Sequence, residues 1–239
     1  MALDQHINIF FKDLFLSNKI NFFDLWKSTH NKIYPEIPID LNNVLTAIRI
    51  NKNFYLCKYF MYVNNLEGDF FECGVLRGFS SYLLRSLEDN LSLNKINKYI
   101  LIDSFEGLSE ITKSDIPLNP NLKIHKKGDL RENFETVEIN FKEYNNVFLV
   151  KGWIPDVFDQ LDQNNKYKFV HLDVDLYQPT LDSLEYIYEK VVKGGVIITD
   201  DYKSPLFPGN KKAWEHYFNS KNIKNWLALP SGQAAIIKS

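Results

Sequence analysis

The chain has little cysteine, no excess of positive charge and no hydrophobic run long enough to cross a membrane. Its two cysteines, Cys57 and Cys73, fall in a predicted helix and at a predicted strand end, so we expect free buried thiols in a reducing compartment. A net charge of −2 and a pI of about 6.2 argue against a surface that binds nucleic acid or anionic membranes. The first residues lack the basic segment that begins a signal peptide, and we expect a cytoplasmic protein.

The chain also lacks the G-x-G-x-x-G fingerprint of dinucleotide-binding proteins. Instead, Gly74 and Gly78 stand four positions apart, with Glu72 at the head of the motif. Glycines let such a turn pass close to a ligand, and the helix that starts near Ser80 offers unpaired N–H groups. A pyrophosphate would fit poorly beside Glu72, whereas the cationic end of a ligand, such as an α-amino group, would fit well. An ordinary structural turn is the alternative interpretation.

Two acidic clusters, each at the end of a short apolar run, are the most informative feature that is present. Asp173 and Asp175 end the first run, and Asp200 and Asp201 end the second. Such runs are typical of buried parallel strands, whose carboxyl ends carry the functional groups of open α/β sheets. Four carboxylates placed there repel one another unless a cation or a proton joins them, and a hard divalent metal is the simplest explanation.

Other roles for these side chains stay open at this stage. Single aspartates also cap helices or pair with Lys and Arg, so each of the four has a structural alternative. His171 precedes Asp173 by two positions, and it is either a further ligand or a satisfied histidine of the core. Asp173 and Asp175 would point the same way if both lay in a strand, and their roles as ligand and base could then be exchanged.

The pattern along the chain predicts a helical extension followed by one α/β domain. Residues 1–67 carry apolar residues at helical spacing, and we assign them to an N-terminal helical extension or cap. Residues 68–239 alternate apolar strands with amphipathic helices, which predicts a mainly parallel sheet with right-handed crossovers. Within this domain we expect a helix from Leu181 to Val192, a strand from Val196 to Thr199, and a loop or lid over residues 109–127.

Two more strand ends complete the outline of a small-molecule site. Asp103 and Ser104 follow the second predicted strand, where a carboxylate can accept hydrogen bonds from both hydroxyls of a ribose; an N-cap is the alternative role of Asp103. Gly152 and Trp153 follow the third strand, where the indole could flank an adenine or belong to the core. Together with Glu72, these positions describe a pocket for an adenosine with a zwitterionic amino-acid tail, which is S-adenosylmethionine.

Six motifs resemble, in order and spacing, those of the macrocin O-methyltransferase family of the TylF, MycF and NovP type. The resemblance extends from about Gly68 to Trp214, with Val174 where the family has glycine and Leu76 where it has an aromatic residue. The motifs are Glu72-Cys73-Gly74-Val75-Leu76-Arg77-Gly78, Asp103-Ser104-Phe105-Glu106-Gly107-Leu108, Arg131-Glu132-Asn133-Phe134, Lys151-Gly152-Trp153, Asp173-Val174-Asp175-Leu176-Tyr177 and Asp200-Asp201-Tyr202.

The resemblance implies a class I methyltransferase, with a Rossmann-like, mainly parallel sheet of seven strands. It implies an enzyme that uses S-adenosylmethionine and Mg²⁺, or another divalent cation, to methylate a hydroxyl of a sugar-containing small molecule, glycan or glycosylated natural product. It makes Asp175 the general base, and the metal ligands Asp173, Asp200 and Asp201. The expected cofactor contacts are Glu72, Gly74, Gly78, Ser80, Asp103, Ser104, Gly152, Trp153 and Asp173.

Several rival functions share part of this pattern. A methyltransferase of catechol-like phenols would need the same metal and base, with a flat apolar acceptor slot. An amino-methyltransferase of nucleic acid would have an Asn/Asp-Pro-Pro-aromatic turn, which Asp175-Leu176-Tyr177-Gln178-Pro179 does not match. A cofactor-binding scaffold without turnover is the non-enzyme alternative. Tyr177 could line the acceptor site, Lys203, Lys211 and Lys212 could face solvent or an anionic acceptor, and a homo-oligomer is compatible with the sequence.

Overall fold

The computed structural model describes residues 20–91 and 97–239, so the first 19 residues of the predicted helical extension lie outside the described part. Its helices are α1 (Phe22–Ile33), α2 (Val44–Tyr62), α3 (Phe79–Asn90), α4 (Phe134–Phe141), α5 (Tyr177–Ile187) and α6 (Pro208–Ser220). Its strands are β1 (Asp69–Cys73), β2 (Tyr99–Asp103), β3 (Val147–Lys151), β4 (Tyr167–Leu172), β5 (Val191–Thr199), β6 (Leu227–Ala228) and β7 (Ala234–Ile237).

The seven described strands form one sheet in the order β3-β2-β1-β4-β5-β7-β6. Strands β1 to β5 run parallel to their neighbours, while β7 is antiparallel to β5 and β6 is antiparallel to β7. The predicted mainly parallel α/β sheet of seven strands is therefore confirmed. Because β1 to β5 are parallel, their carboxyl ends share one edge of the sheet, and the predicted site residues follow those ends.

Alternating side chains of the strands build an apolar layer on each face of the sheet. Phe70 of β1 packs against Phe60 of α2 on one face, with ring centroids 6.5 Å apart, and Phe169 of β4 joins the same cluster. The next residue, Phe71, points to the opposite face, where the core includes Trp214 of α6. Helices α1, α2 and α3 thus cover one face, and α5 and α6 cover the other.

Helix α2 has a well-defined start and a buried stripe that fixes its rotation. Asn43 caps its first turn, because the side-chain oxygen accepts a hydrogen bond of 2.8 Å from the backbone N–H of Leu45. Further along, Leu56, Cys57 and Phe60 are buried against the sheet. One turn earlier, Lys52 reaches the carboxyl end of β5, where it contacts Asp200 and Asp201.

Two details of the sequence prediction are wrong. The predicted helix from Leu181 to Val192 ends early, because Val191 and Val192 open strand β5 and Val191 lies beside Tyr167 of β4. Both residues are β-branched valines, which suit a pleated strand better than a helix end. Strand β6 was not predicted, since its two residues carry no periodic pattern that could be recognised.

Two expectations about the chain as a whole are also addressed by the structure. Cys57 and Cys73 are free and fully buried, as predicted, and burial raises the pKa of both thiols. In the described ranges, no helix combines the length and the apolar character that a membrane crossing requires.

Candidate active site

The turn after β1 is shaped by glycine and held by an aspartate from the neighbouring strand. Gly74 has a φ of +85°, and a side chain there would overlap the backbone carbonyl of Asp173. Asp103 accepts hydrogen bonds of 2.7 and 3.0 Å at Oδ2 from the backbone N–H groups of Val75 and Leu76. Its Oδ1 accepts a bond of 2.7 Å from Phe105 N–H. One carboxylate therefore ties the loops after β1 and β2 together.

An open pocket lies at these strand ends, and the empty space in it, counted together with its opening to solvent, is about 840 Å³. Of the residues predicted to bind the cofactor, those lining the pocket are Gly74, Asp103, Ser104, Gly152, Trp153 and Asp173. Glu72, Gly78 and Ser80 do not line it. Asp175, the predicted base, is also part of the pocket wall.

The predicted acidic residues meet beside this pocket. Oxygen atoms of Asp173, Asp175 and Asp201 all lie within 4.8 Å of one another, and ligand atoms of His171, Asp173 and Asp200 form a second such group. Strand β4 ends at Leu172, so Asp173 and Asp175 lie beyond the strand and do not share a strand face. Asp175 has a φ of +58°, and this turn, rather than a strand, brings the two carboxylates together.

The four carboxyl groups of the cluster outnumber Lys52 and His171, the cationic side chains that contact them. Burial raises the pKa of Asp173 well above its usual value, and the charges of Asp200 and Asp201 raise it further. Burial also raises the pKa of Asp175, together with Asp201 and Asp173. Burial opposes the ionisation of Asp200 too, but Lys52 and His171 outweigh it and lower the pKa of Asp200. Additional positive charge at this place would therefore favour the ionised forms of Asp173 and Asp175.

Lys52 of α2 is a member of the site that sequence reasoning missed. Its Nζ lies 2.6 Å from Asp200 Oδ2 and 3.1 Å from Asp201 Oδ1. A signal was present, because Lys52 stands four and eight positions before the buried residues Leu56 and Phe60, on the same side of α2. A lysine in such a stripe needs an acidic partner, and the packing of α2 on the sheet supplies two.

Asp200 is held by a buried hydrogen-bond network that includes His171, Glu72 and Gln233. His171 Nδ1 lies 2.7 Å from Glu72 Oε1, and His171 Nε2 lies 3.4 Å from Asp200 Oδ1. Gln233, just before β7, donates a bond of 2.7 Å to the same Asp200 oxygen. Burial opposes protonation of His171, but its bonds to Asp200 and Glu72 outweigh it and raise the pKa of His171 to about 10.

Glu72 belongs to this buried hydrogen-bond network and does not line the pocket. It is 1% exposed, and its other oxygen accepts a hydrogen bond from Ser81 Oγ. Both carboxylate oxygens thus already have partners from the protein. The arrangement links Glu72 to Asp200 through the imidazole, which accounts for a buried carboxylate and a buried histidine at once.

The loop over residues 109–127 is tied to the helices beside the site. Asp115 is 4% exposed, accepts a bond of 2.7 Å from the N–H of Tyr177 at the start of α5, and closes a capping box with Thr112. Tyr177 does not line the pocket; its hydroxyl lies 2.5 Å from His216 Nδ1. Each of the three lysines considered for an anionic acceptor has a protein partner, namely Leu229 O for Lys203, Glu215 for Lys211 and Ser114 O for Lys212.

Residues 42–231 match the family model described as macrocin-O-methyltransferase (TylF). Among curated proteins, the chain is 29% identical over 165 residues to 8-demethyl-8-(2,3-dimethoxy-alpha-L-rhamnosyl)-tetracenomycin-C 4'-O-methyltransferase of Streptomyces olivaceus. This match covers 67% of the chain and 62% of the relative, so the chain spans less than two thirds of that protein. The chain is also 27% identical over 197 residues to mycinamicin III 3''-O-methyltransferase of Micromonospora griseorubida, a match that covers 80% of the chain and 75% of the relative.

Solved structures show the same fold. The O-methyltransferase NovP superposes with a TM-score of 0.68 at 25% identity, over 80% of each chain. The calicheamicin methyltransferase CalS11 superposes with a TM-score of 0.66 at 17% identity, over 90% of this chain and 91% of the other. At 17% identity, the similarity to CalS11 supports the fold alone.

Replacing Asp103 by alanine should weaken the binding of S-adenosylhomocysteine roughly tenfold or more, because three backbone hydrogen bonds that shape the pocket are lost. Titration calorimetry measures the affinity, and a thermal melt verifies that the variant is folded. Asp156→Ala removes an exposed carboxylate after β3 and is the matched control, for which we expect native affinity. Native affinity in Asp103→Ala as well would mean that Asp103 serves neither the ribose nor the turn.

Proposed function

The chain belongs to the macrocin O-methyltransferase (TylF) family, and from this premise we propose that it transfers a methyl group from S-adenosylmethionine to a sugar hydroxyl in a divalent-metal-dependent reaction. The resemblance and the fold class drawn from the sequence are both confirmed by the family match and by the likeness to NovP. The names of the two curated relatives describe methylation at the 4' position of a rhamnosyl-tetracenomycin and at the 3'' position of mycinamicin III. A sugar on a larger acceptor is therefore the substrate class we propose.

One observation carries the proposal: Asp173 and Asp175 belong both to the pocket wall and to the acidic cluster. A ligand that fills the pocket thus extends directly to a group of carboxylates. This is the arrangement that methyl transfer to oxygen needs, because the methyl donor and the groups that prepare the hydroxyl must meet at one point.

For the methyl donor, we assign the adenosine part to the loops after β2 and β3. Asp103 and Ser104 would face the ribose, and Trp153 beside Gly152 would flank the adenine. Gly74 and Asp173 line the same pocket, and we assign the amino-acid tail of the cofactor to the part of the pocket beside them.

The sequence assigned Glu72 to the amino group of the cofactor, and the structure leads us to a different role. Since both of its oxygens are bonded to Ser81 and His171, we propose that Glu72 positions Asp200 through the imidazole. Gly78 and Ser80 do not line the pocket, and the N–H of Gly78 already donates to the Val75 carbonyl, so we assign both residues to the turn that starts α3.

The donor set suits a hard divalent cation. Carboxylate oxygens are the preferred ligands of Mg²⁺. Asp173 belongs to both groups of atoms that converge within 4.8 Å although their charges repel, one with Asp200 and His171 and the other with Asp201 and Asp175. As the resemblance implies, Asp173, Asp200 and Asp201 would hold the ion. When bound, it would supply the positive charge that lowers the pKa of the acceptor hydroxyl.

Asp175 is left to act as the general base. It lies beside Asp173 in the wall of the pocket, and it is 8% exposed. The acceptor oxygen forms its bond to the methyl carbon as the carbon–sulfur bond breaks, S-adenosylhomocysteine leaves, and the hydroxyl proton passes to Asp175. General-base assistance of this kind is typically worth about 10²–10⁴-fold in rate.

Activity should be lost in EDTA and return with Mg²⁺, because the converging carboxylates need a cation to bind and orient the acceptor. Release of S-adenosylhomocysteine, measured by chromatography, is the readout with a panel of sugars that carry neighbouring hydroxyls and a panel of catechols. We expect turnover with members of the sugar panel. Full turnover in the presence of chelator would contradict the proposed metal dependence. Turnover of catechols alone would contradict the proposed sugar acceptor.

Asp175→Asn should lower kcat by about 10²-fold or more, since the amide keeps the shape of the side chain but cannot accept the proton. Affinities for S-adenosylhomocysteine and Mg²⁺ should change little, and calorimetry measures both. Asp156→Asn makes the same chemical change at an exposed position and should leave kcat as it is.

A collapse of Mg²⁺ affinity in Asp175→Asn would instead make Asp175 a ligand and exchange its role with that of Asp173. Near-normal kcat would remove Asp175 from both roles.

A further inference from the structure

Helix α2 places a positive charge inside the acidic cluster. Lys52 Nζ bridges the ends of the two adjacent aspartates, at 2.6 Å from Asp200 Oδ2 and 3.1 Å from Asp201 Oδ1. Its side chain is 20% exposed, and those of Asp200 and Asp201 are 12% and 11% exposed. Water screens this contact far less than it screens a salt bridge on the surface.

We propose that Lys52 is a built-in cation that holds the metal-binding oxygens of Asp200 and Asp201, so that a divalent ion binds only by displacing it. The inference rests on the metal site of the proposed function. It adds a residue from the N-terminal helices to that site and makes metal binding a competition between an ion and a side chain of the same protein.

The hydrogen bonds of Asp200 show why the two cations compete. Its Oδ1 already accepts a bond from Gln233 and faces His171, which leaves Oδ2 as the oxygen that can turn to an ion. Lys52 occupies that oxygen. An ammonium and a divalent ion at one carboxylate oxygen repel each other, and in a poorly hydrated site this repulsion is strong.

The lysine can leave without unfolding the helix that carries it. Its long, flexible stem can swing the ammonium toward solvent, while Leu56, Cys57 and Phe60 keep α2 packed on the sheet. Metal binding would then break a contact between α2 and the strand ends and leave the fold in place. Without metal, Lys52 limits the repulsion between Asp200 and Asp201.

Replacing Lys52 by methionine should tighten Mg²⁺ binding by about tenfold or more, because the ion no longer has to displace an ammonium from Asp200 Oδ2. Calorimetric titration with MgCl₂ alone measures the affinity of the 239-residue chain. Lys58→Met is the matched control: it removes a lysine of the same helix whose ammonium lies over the rings of Tyr55 and Tyr59, and it should leave the affinity unchanged. Lys52→Arg keeps the charge and should bind Mg²⁺ no more tightly than the native protein.

A thermal melt gives a second readout that does not depend on activity. In the absence of metal, Lys52→Met should melt at a lower temperature than the native protein, because two ion pairs are lost. Saturating Mg²⁺ should raise the melting temperature of Lys52→Met more than that of the native protein, since the ion binds the folded variant more tightly than it binds the folded native protein. If the methionine variant does not fold, Lys52→Gln replaces it in both experiments. Glutamine keeps a polar group without the charge, and we expect the same changes in Mg²⁺ affinity and melting temperature.

The outcomes separate this inference from the proposed function. If the native protein and Lys52→Met bind Mg²⁺ equally, or the variant binds more weakly, Lys52 does not compete and the inference is overturned while the metal site stands. If neither protein binds Mg²⁺, both the inference and the metal dependence of the proposed function are overturned.

Discussion

Four carboxylates meet at the ends of β4 and β5, and their mutual repulsion constrains what can surround them. A protein can place such groups together only if cations, protons or hydrogen-bond donors compensate them. Here Lys52 and His171 supply the positive charge and Gln233 supplies a donor, all directed to Asp200 or Asp201. Asp173 and Asp175 are left with raised pKa values, and they are the pair that faces the pocket. The imbalance of charge is therefore greatest where a ligand would enter.

The shape of the pocket follows from a different constraint, the crossing of backbone segments at neighbouring strand ends. Gly74 lets the turn after β1 pass against the carbonyl of Asp173 at the end of β4. Asp103, at the end of β2, fastens that turn through its backbone N–H groups. The turn after β1 and the acidic cluster are thus in contact at the backbone of Gly74 and Asp173, and we expect a change in either to displace the other.

Much of this could be predicted from the sequence, because strand ends and acidic residues leave a local pattern. The apolar runs before Asp173 and Asp200 identify two strand ends, and the parallel sheet places them side by side. Gln233 and Lys52 could not be placed in this way, since one precedes an antiparallel strand and the other lies on a helix more than a hundred residues distant in sequence. Tertiary packing decides those contacts. The burial of Glu72 is a similar case, because an acidic residue at a glycine turn looks the same in sequence whether it faces a ligand or a histidine.

We propose that the acidic cluster beside the pocket binds a divalent cation and that the methyl donor binds in that pocket. A crystal structure with S-adenosylhomocysteine and Mn²⁺, examined by anomalous scattering, tests it most directly. The account predicts an anomalous peak in direct contact with carboxylate oxygens of Asp173, Asp200 and Asp201, and a Lys52 ammonium that has moved away from Asp200. A map without a peak at saturating Mn²⁺, with Lys52 still bridging Asp200 and Asp201, would contradict it.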